Sequence, residues 1–348
     1  MNYIITGGTG FIGTHLANLL HERNPEAEIW NLDIVDPSKL GDMTERERQE
    51  YTTIKAWKSP VCQGDTCKSH YVFCDVRKPI EKLPFTPTED DILFNLAAVH
   101  RTPGHPDRAY FETNIWGAEN ICAFAEKWGI RKIVFTSSIA PYGASEELKE
   151  ETTLPTPNTA YGISKLVAEH IHKTWQAKDT ESRKLVIMRP GVVFGKGENG
   201  NFTRLYWGIR KHRFAYPGRK DTIKACIYVK ELVRFMLYAV EHGRSGVELY
   251  NCCYDPAYTI EQIVGVMKRV TGLTQSVPYI PNALIMPVAF LAKCVGSPMG
   301  ICPARVKKLQ ISTNISGKRL VESGYDFKYT FEEALKNWFE DNDRKGLQ

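Results

Sequence analysis

No stretch of the chain is apolar for long enough to cross a bilayer, no run of like charge marks a nucleic-acid arm, and the nine cysteines show no paired metal spacing. The most apolar segment, Ala283 to Val295, is broken by Pro287 and Lys293 and falls short of the roughly 20 residues a bilayer demands, so it is expected to pack in a core or to lie on a membrane surface or lipid. Basic and acidic residues, 45 against 40 for a net charge of +5, are interspersed, which argues against nucleic acid as a partner. Cys62 and Cys67 are separated by four residues in a polar loop with no His pair nearby, and are expected as free thiols of a reducing cytosol; no metal site is expected. The chain opens on a strand, without a cationic segment, apolar core and cleavage site, so a cytoplasmic protein is expected. No internal repeat or low-complexity tract is visible.

What is present is an ordinary globular mixture, 43% apolar and 24% charged over 348 residues. Short apolar runs at Tyr3 to Thr6, Ile29 to Asp33, His70 to Cys74, Ile92 to Leu96, Lys132 to Ser137 and Leu185 to Arg189 read as strands. Amphipathic helices are expected at Phe11 to Glu22, Pro106 to Trp128 and Ala160 to Trp175. This alternation predicts an α/β fold with a doubly wound parallel sheet of Rossmann type over residues 1–190, carrying a polar insertion at 36–69. Beyond Arg189 the rhythm loosens, with later helices at Val229 to His242, Ile260 to Thr271 and Phe331 to Asn342. Residues 191–348 are expected to form a smaller mixed α/β lobe that binds substrate and returns elements to the first sheet.

The first strand runs into Thr6-Gly7-Gly8-Thr9-Gly10-Phe11-Ile12-Gly13, where Gly7, Gly10 and Gly13 mark a tight strand-to-helix turn. Such a turn lets the backbone approach a pyrophosphate and aims the helix N-terminal amides at the anion. Asp33 ends the second strand twenty residues after Gly13, where a carboxylate accepts hydrogen bonds from an adenosine ribose and repels a 2′-phosphate, so NAD is expected rather than NADP. A second constellation is Tyr161-Gly162-Ile163-Ser164-Lys165. Positions i and i+4 share a helix face, so the Lys165 ammonium is expected beside the Tyr161 phenol, lowering its pKa and making it a proton shuttle. Phe135-Thr136-Ser137-Ser138 ends a strand at the carboxyl edge of the sheet, where a hydroxyl can polarise a substrate alcohol jointly with Tyr161.

Together these residues resemble the extended short-chain dehydrogenase/reductase superfamily, in its nucleotide-sugar epimerase/dehydratase branch, and UDP-hexose 4-epimerases within it. The resemblance extends through Cys74-Asp75-Val76-Arg77, Leu96-Ala97-Ala98, Asn114, Tyr142-Gly143 and Arg189-Pro190 with Val193-Phe194-Gly195. It implies that Asp75 and Val76 contact adenine and that Leu96, Ala97, Ala98, Asn114, Pro190 and Val193 line the cofactor. Lys165 would bind the nicotinamide ribose, and Ser138 and Tyr161 would carry the chemistry. Gly200-Asn201-Phe202 resembles the entry to the substrate domain, and Lys224 stands where many relatives carry an Arg near the nucleotide phosphates; Asn201, Phe202, Lys224, His100 and Arg305 are the expected substrate contacts. Relatives are commonly dimers through helices like Pro106 to Trp128 and Ala160 to Trp175.

Departures narrow the reading. Dehydratases of the branch carry an acidic pair just after the catalytic hydroxyl, where this chain has Ile139 and Ala140, so dehydration is disfavoured. Val192 replaces a substrate-binding Asn, and Lys230 a frequent Asp. The leading expectation is NAD-dependent epimerisation at C4 of a hexose linked to a nucleotide or a polyprenyl diphosphate. Net oxidation or reduction of a keto-sugar or a hydroxysteroid-like alcohol is the alternative, and a non-catalytic NAD-binding regulator is the third reading.

Overall fold

The computed structural model describes residues 1–36, 69–100, 104–243, 245–285, 287, 306 and 310–348. The expected insertion with Cys62 and Cys67, most of the apolar segment Ala283 to Val295, and Arg305 lie outside the described residues.

Buried apolar runs dictate the central layer. Strands β1 (Asn2–Thr6), β2 (Glu28–Asp33), β3 (Ser69–Phe73), β4 (Ile92–Asn95) and β5 (Lys132–Thr136) form it together with β7 (Lys184–Pro190) and β12 (Gly246–Cys252), β6 (Ser145–Lys149) lying apart in the lobe. Every residue of β4 and β7 is buried, as expected of parallel strands covered on both faces. The spatial order is β12-β7-β5-β4-β1-β2-β3, all pairs parallel. The order reverses about β1 and β4, which opens a crevice beyond their carboxyl ends.

Alternate residues feed two cores. Ile5, Ile29, Phe94, Val134 and Met188 face α1 (Phe11–Arg23) and a helix at Val229–His242, whereas Ile4, Leu93, Ile133, Phe135 and Ile187 face the opposite layer. That layer holds α2 (Asp107–Phe111), a π-helical turn at Glu112–Trp116, α3 (Gly117–Lys127) and α4 (Ala160–Ala177). The expected single helix from Pro106 to Trp128 is thus interrupted, and π turns of this kind re-aim side chains where function needs it.

The lobe begins with β8 (Val192–Phe194) and α5 (Asn201–Arg210), and continues through β9 (Tyr216–Pro217), β10 (Ile223–Lys224), β11 (Cys226–Tyr228) and α6 (Val229–His242). After β12 follow β13 (Tyr258–Thr259), α7 (Ile260–Thr271), β14 (Tyr279–Ile280), β15 (Thr313–Ile315), α8 (Lys318–Val321) and α9 (Phe331–Asp341). A small sheet of order β13-β10-β15-β6 and the pairs β11-β8 and β14-β9 frame it. Its core is aromatic, with Phe194 at the centre of Phe202, Tyr228, Phe331 and Trp338. Because α6 and β12 pack back on the first sheet, the sequence border near residue 190 marks the start of a shared region. No helix among the described residues is long and apolar enough to cross a membrane.

Candidate active site

The glycine turn sits in the crevice. Gly7 has φ +71°, and a β-carbon there would lie 2.8 Å from the Ala97 nitrogen, so the loops after β1 and β4 touch. At Gly13 a β-carbon would stand 2.6 Å from the Gly7 carbonyl, which sets how closely α1 enters the turn. No side chain caps α1 at Gly10, and the first amides of a helix have no partner within it, so those of Phe11, Ile12 and Gly13 are available to an anion. The Phe11 ring itself packs in the lobe core, edge-on to His15 at 5.4 Å.

Asp33 leans over the same turn. Its carboxylate accepts from the Thr9 and Val35 amides, each at 3.2 Å, and burial raises its pKa against the pull of these hydrogen bonds. Asp75 is forked by Arg77 at 2.8 and 2.7 Å, which holds its carboxyl below the usual range and leaves the remaining lone pairs for another donor. Val76 is buried against Gly117, and the Leu96 amide bonds to the Thr6 carbonyl. Pro190 closes β7 and receives the Ile139 amide at 3.2 Å; Val193 is bound into β8.

Across the crevice lie Ser138, Tyr161 and Lys165. A β-carbon at Gly162 would meet the Ala140 carbonyl at 2.7 Å, so this glycine lets the first turn of α4 press on the loop that follows Ser138. The Thr159 hydroxyl caps that turn by accepting from the Gly162 amide. The Ser138 hydroxyl accepts from the Ala140 amide at 3.1 Å and lies near enough to the Tyr161 phenol to pull its pKa down, and the Tyr110 ring flanks Tyr161 at 6.1 Å. Asn114, placed by the π turn, binds both the amide and the carbonyl of Val99 and donates to Ser164 at 2.9 Å. It thereby fastens the loop after β4 to α4.

These features match the NAD dependent epimerase/dehydratase family over residues 3–253. The chain belongs to that family. It is 31% identical over 251 residues, 70% of this chain and 75% of the relative, to the N-acetyl-alpha-D-glucosaminyl-diphospho-ditrans,octacis-undecaprenol 4-epimerase of Escherichia coli O157:H7. It is 26% identical over 306 residues, 80% of this chain and 85% of the relative, to UDP-glucose 4-epimerase of Neisseria gonorrhoeae. Its fold superposes with a TM-score of 0.70 on UDP-N-acetylglucosamine 4-epimerase from Methanobrevibacter ruminantium M1 in complex with UDP-N-acetylmuramic acid, at 20% identity and 98% coverage of both chains. Members of the family are NAD-dependent enzymes, and the uncapped α1, the glycine cradle and Asp33 fit that cofactor.

Within this family frame two expectations need correction. Burial pushes the Tyr161 phenol up to about 12, with the Ser138 hydroxyl pulling the other way. Lys165 does not offset this, because its ammonium donates at 2.8 Å to the Thr136 carbonyl over the Phe135 ring, and burial draws its own pKa down to about 7 against the attraction of Glu169. Shared helix face therefore did not mean direct pairing. Phe202 is the second correction: it is 4% exposed and stacks on Phe194 at 4.6 Å, in the lobe core instead of at the substrate. Of the other expected substrate contacts, His100 and Asn201 are exposed and Lys224 donates to the Ile311 carbonyl at 2.8 Å.

Sequence reasoning missed the group beneath the site. Glu169, eight residues after Tyr161, is completely buried and grips Arg189 of β7 through two bonds of 2.8 and 2.6 Å. It also accepts the Ser137 hydroxyl at 2.6 Å. The signal was available as an acid one turn beyond Lys165 and a buried Arg in an apolar strand, but only packing joins them. The described cysteines are free and buried, and burial raises the Cys74 thiol to about 11 and Cys122 to about 12, which removes them as nucleophiles.

Proposed function

We propose that this enzyme inverts C4 of a hexose carried on a diphosphate, by oxidation to a 4-keto sugar and reduction from the other face, with NAD retained throughout. The observation that carries the reading is Ser138 beside the Tyr161 phenol, with Lys165 one helical turn below, at the carboxyl edge of the same parallel sheet whose first strand leads into the glycine turn. NAD, when bound, supplies acceptance and return of the hydride. Tyr161 would act as the phenolate, taking the proton of the sugar hydroxyl at its oxygen and giving it back with Ser138 alongside, which requires positive charge in the loaded site to bring the phenol below the value of about 12 that burial gives it. Lys165 holds a positive charge beneath them. Ile139 and Ala140, where elimination of water would call for an acid and a base, leave the keto sugar to be reduced.

The carrier follows from the relatives: a polyprenyl diphosphate acted on by the Escherichia coli enzyme, or UDP, as the Neisseria gonorrhoeae name states. The 31% identity favours the N-acetylhexosaminyl polyprenyl diphosphate. We further assign the enzyme to the cytoplasm as a homodimer, with membrane-surface contact when the carrier is a lipid. Trp116 and Ile163, 49% and 41% exposed on the helical layer, support the dimer reading. The test is incubation of the NAD-loaded protein with N-acetylglucosaminyl polyprenyl diphosphate, UDP-N-acetylglucosamine and UDP-glucose, followed by analysis of the sugar. A C4 epimer from any of them supports the proposal; stoichiometric NADH with no epimer makes the enzyme a net oxidoreductase.

A further inference from the structure

The ion pair beneath the site touches every element that carries the chemistry. Glu169 lies on α4 at positions i+4 from Lys165 and i+8 from Tyr161, so the three side chains follow one helix face. Its carboxylate receives the hydroxyl of Ser137, the residue whose carbonyl leads into the Ser138 peptide at the end of β5. Its two bonds to Arg189 fasten both to β7, and the guanidinium lies over the Tyr142 ring at 4.6 Å, beyond Ser138 along the same loop. Tyr142 in turn donates to Asn251 of β12 at 2.9 Å. One carboxylate thus joins α4, β5 and β7 at the point where Ser138, Tyr161 and Lys165 converge. Both members are buried, Glu169 at 0% and Arg189 at 3% side-chain exposure, so no water substitutes for a lost partner at little cost.

We propose that Glu169, held by Arg189, is a positioning residue of the redox site: it keeps the Lys165 ammonium charged in place under Tyr161 and, through Ser137, fixes Ser138 against the Tyr161 hydroxyl. Among the described residues the charged and titratable groups around Lys165 are few. Tyr161, Glu169 and His172 come from its own helix, Tyr110 from α2, and Arg189 from β7, while β5 presents the Thr136 carbonyl and the Phe135 ring. His172 is held neutral by burial, with its pKa down to about 4, and Arg189 is bound through two bonds to the Glu169 carboxylate, the one anion in this group. The Glu169 carboxylate is therefore the group whose charge favours the ammonium, and its effect on Lys165 has that sign.

This assignment rests on the proposed epimerase reading for its turnover measurement alone. In the full-length protein without substrate, the Lys165 titration is followed by NMR of lysine labelled at the side chain, with the resonance assigned by Lys165→Arg. Glu169→Gln, which removes charge at constant shape, is expected to lower the Lys165 midpoint by about one unit or more. With substrate, kcat falls about tenfold near neutral pH, its alkaline limb moves to lower pH by the same amount, and KM stays within about twofold. An unmoved Lys165 midpoint, or a kcat loss with an unchanged pH profile, overturns the proposal. Absence of epimerase activity in the unaltered protein defeats the functional reading instead, and leaves the titration as the test of the clamp. Because Glu169→Gln strands a buried guanidinium and can prevent folding, Ser137→Ala supplies a second measurement that strands no charge. It is expected to lower kcat about fivefold with KM and NAD affinity unchanged; wild-type kcat in that variant also overturns the proposal.

Discussion

Gly13→Ala isolates the geometry of the cofactor turn. The new methyl would lie 2.6 Å from the Gly7 carbonyl oxygen, 2.7 Å from the Gly8 α-carbon and 2.7 Å from the Gly8 carbonyl oxygen. All three are backbone atoms, so no rotamer relieves the clash. Ordinary contact begins at 3.4 Å, and α1 must withdraw by about 0.8 Å to reach it. Overpacking of this kind costs roughly 1–3 kcal/mol of stability. The same withdrawal carries the amides of Phe11, Ile12 and Gly13 off a pyrophosphate, and hydrogen bonds to a charged group are worth about 1.5–3 kcal/mol each. Loss of one such bond predicts a roughly tenfold to hundredfold rise in Kd for NAD, because about 1.4 kcal/mol is a factor of ten. Isothermal titration calorimetry on cofactor-stripped protein measures the affinity, and thermal melting measures the stability. Gly265→Ala is the control: it lies within α7, where the nearest atom to a new methyl is the far end of Arg269 at 3.9 Å. That variant should leave NAD affinity unchanged and stabilise the fold by up to about 1 kcal/mol. Unaltered NAD affinity in Gly13→Ala would refute the assignment of this turn to the cofactor.

Tyr161→Phe should lower kcat by about 10²–10⁴-fold while NAD stays bound, as read by cofactor absorbance after gel filtration; a variant that keeps full turnover would remove Tyr161 from the chemistry. Asp33→Ser removes the carboxylate over the turn, and should raise Kd for NAD about tenfold or more while NADP binding improves; competitive titration of the two cofactors decides it. His172 is completely buried, and burial lowers its pKa to about 4 from 6.5, so the unfolded chain binds a proton that the folded one refuses between those values. Stability should therefore fall as pH drops from about 6.5 to 4, by about 3 kcal/mol from this group; His172→Gln should flatten that part of the urea-midpoint profile, and an unchanged slope counts against the burial argument. For the proposed dimer, Ile163→Glu places a charge at an exposed apolar position of α4 and should give a monomer by light scattering. A dimer that persists unchanged puts the interface elsewhere.

The sequence by itself determined what local spacing can encode. A strand that runs into closely spaced glycines specifies a tight turn into a helix because that depends on consecutive backbone conformations, and the Tyr161–Lys165 spacing specifies a helix face because 3.6 residues make a turn. The parallel α/β class followed in the same way from buried runs such as β7. Tertiary structure decided what depends on distance through space. Glu169 and Arg189 are twenty residues apart on a helix and a strand, and they meet only because α4 lies across β7. Phe202 reads as a substrate-domain residue in its motif, yet burying an aromatic ring among Phe194, Tyr228 and Phe331 places it in the core. The charges of the site were equally out of reach: burial raises Tyr161 and lowers Lys165, and desolvation is a property of the surrounding atoms that no pair of residues carries in its spacing.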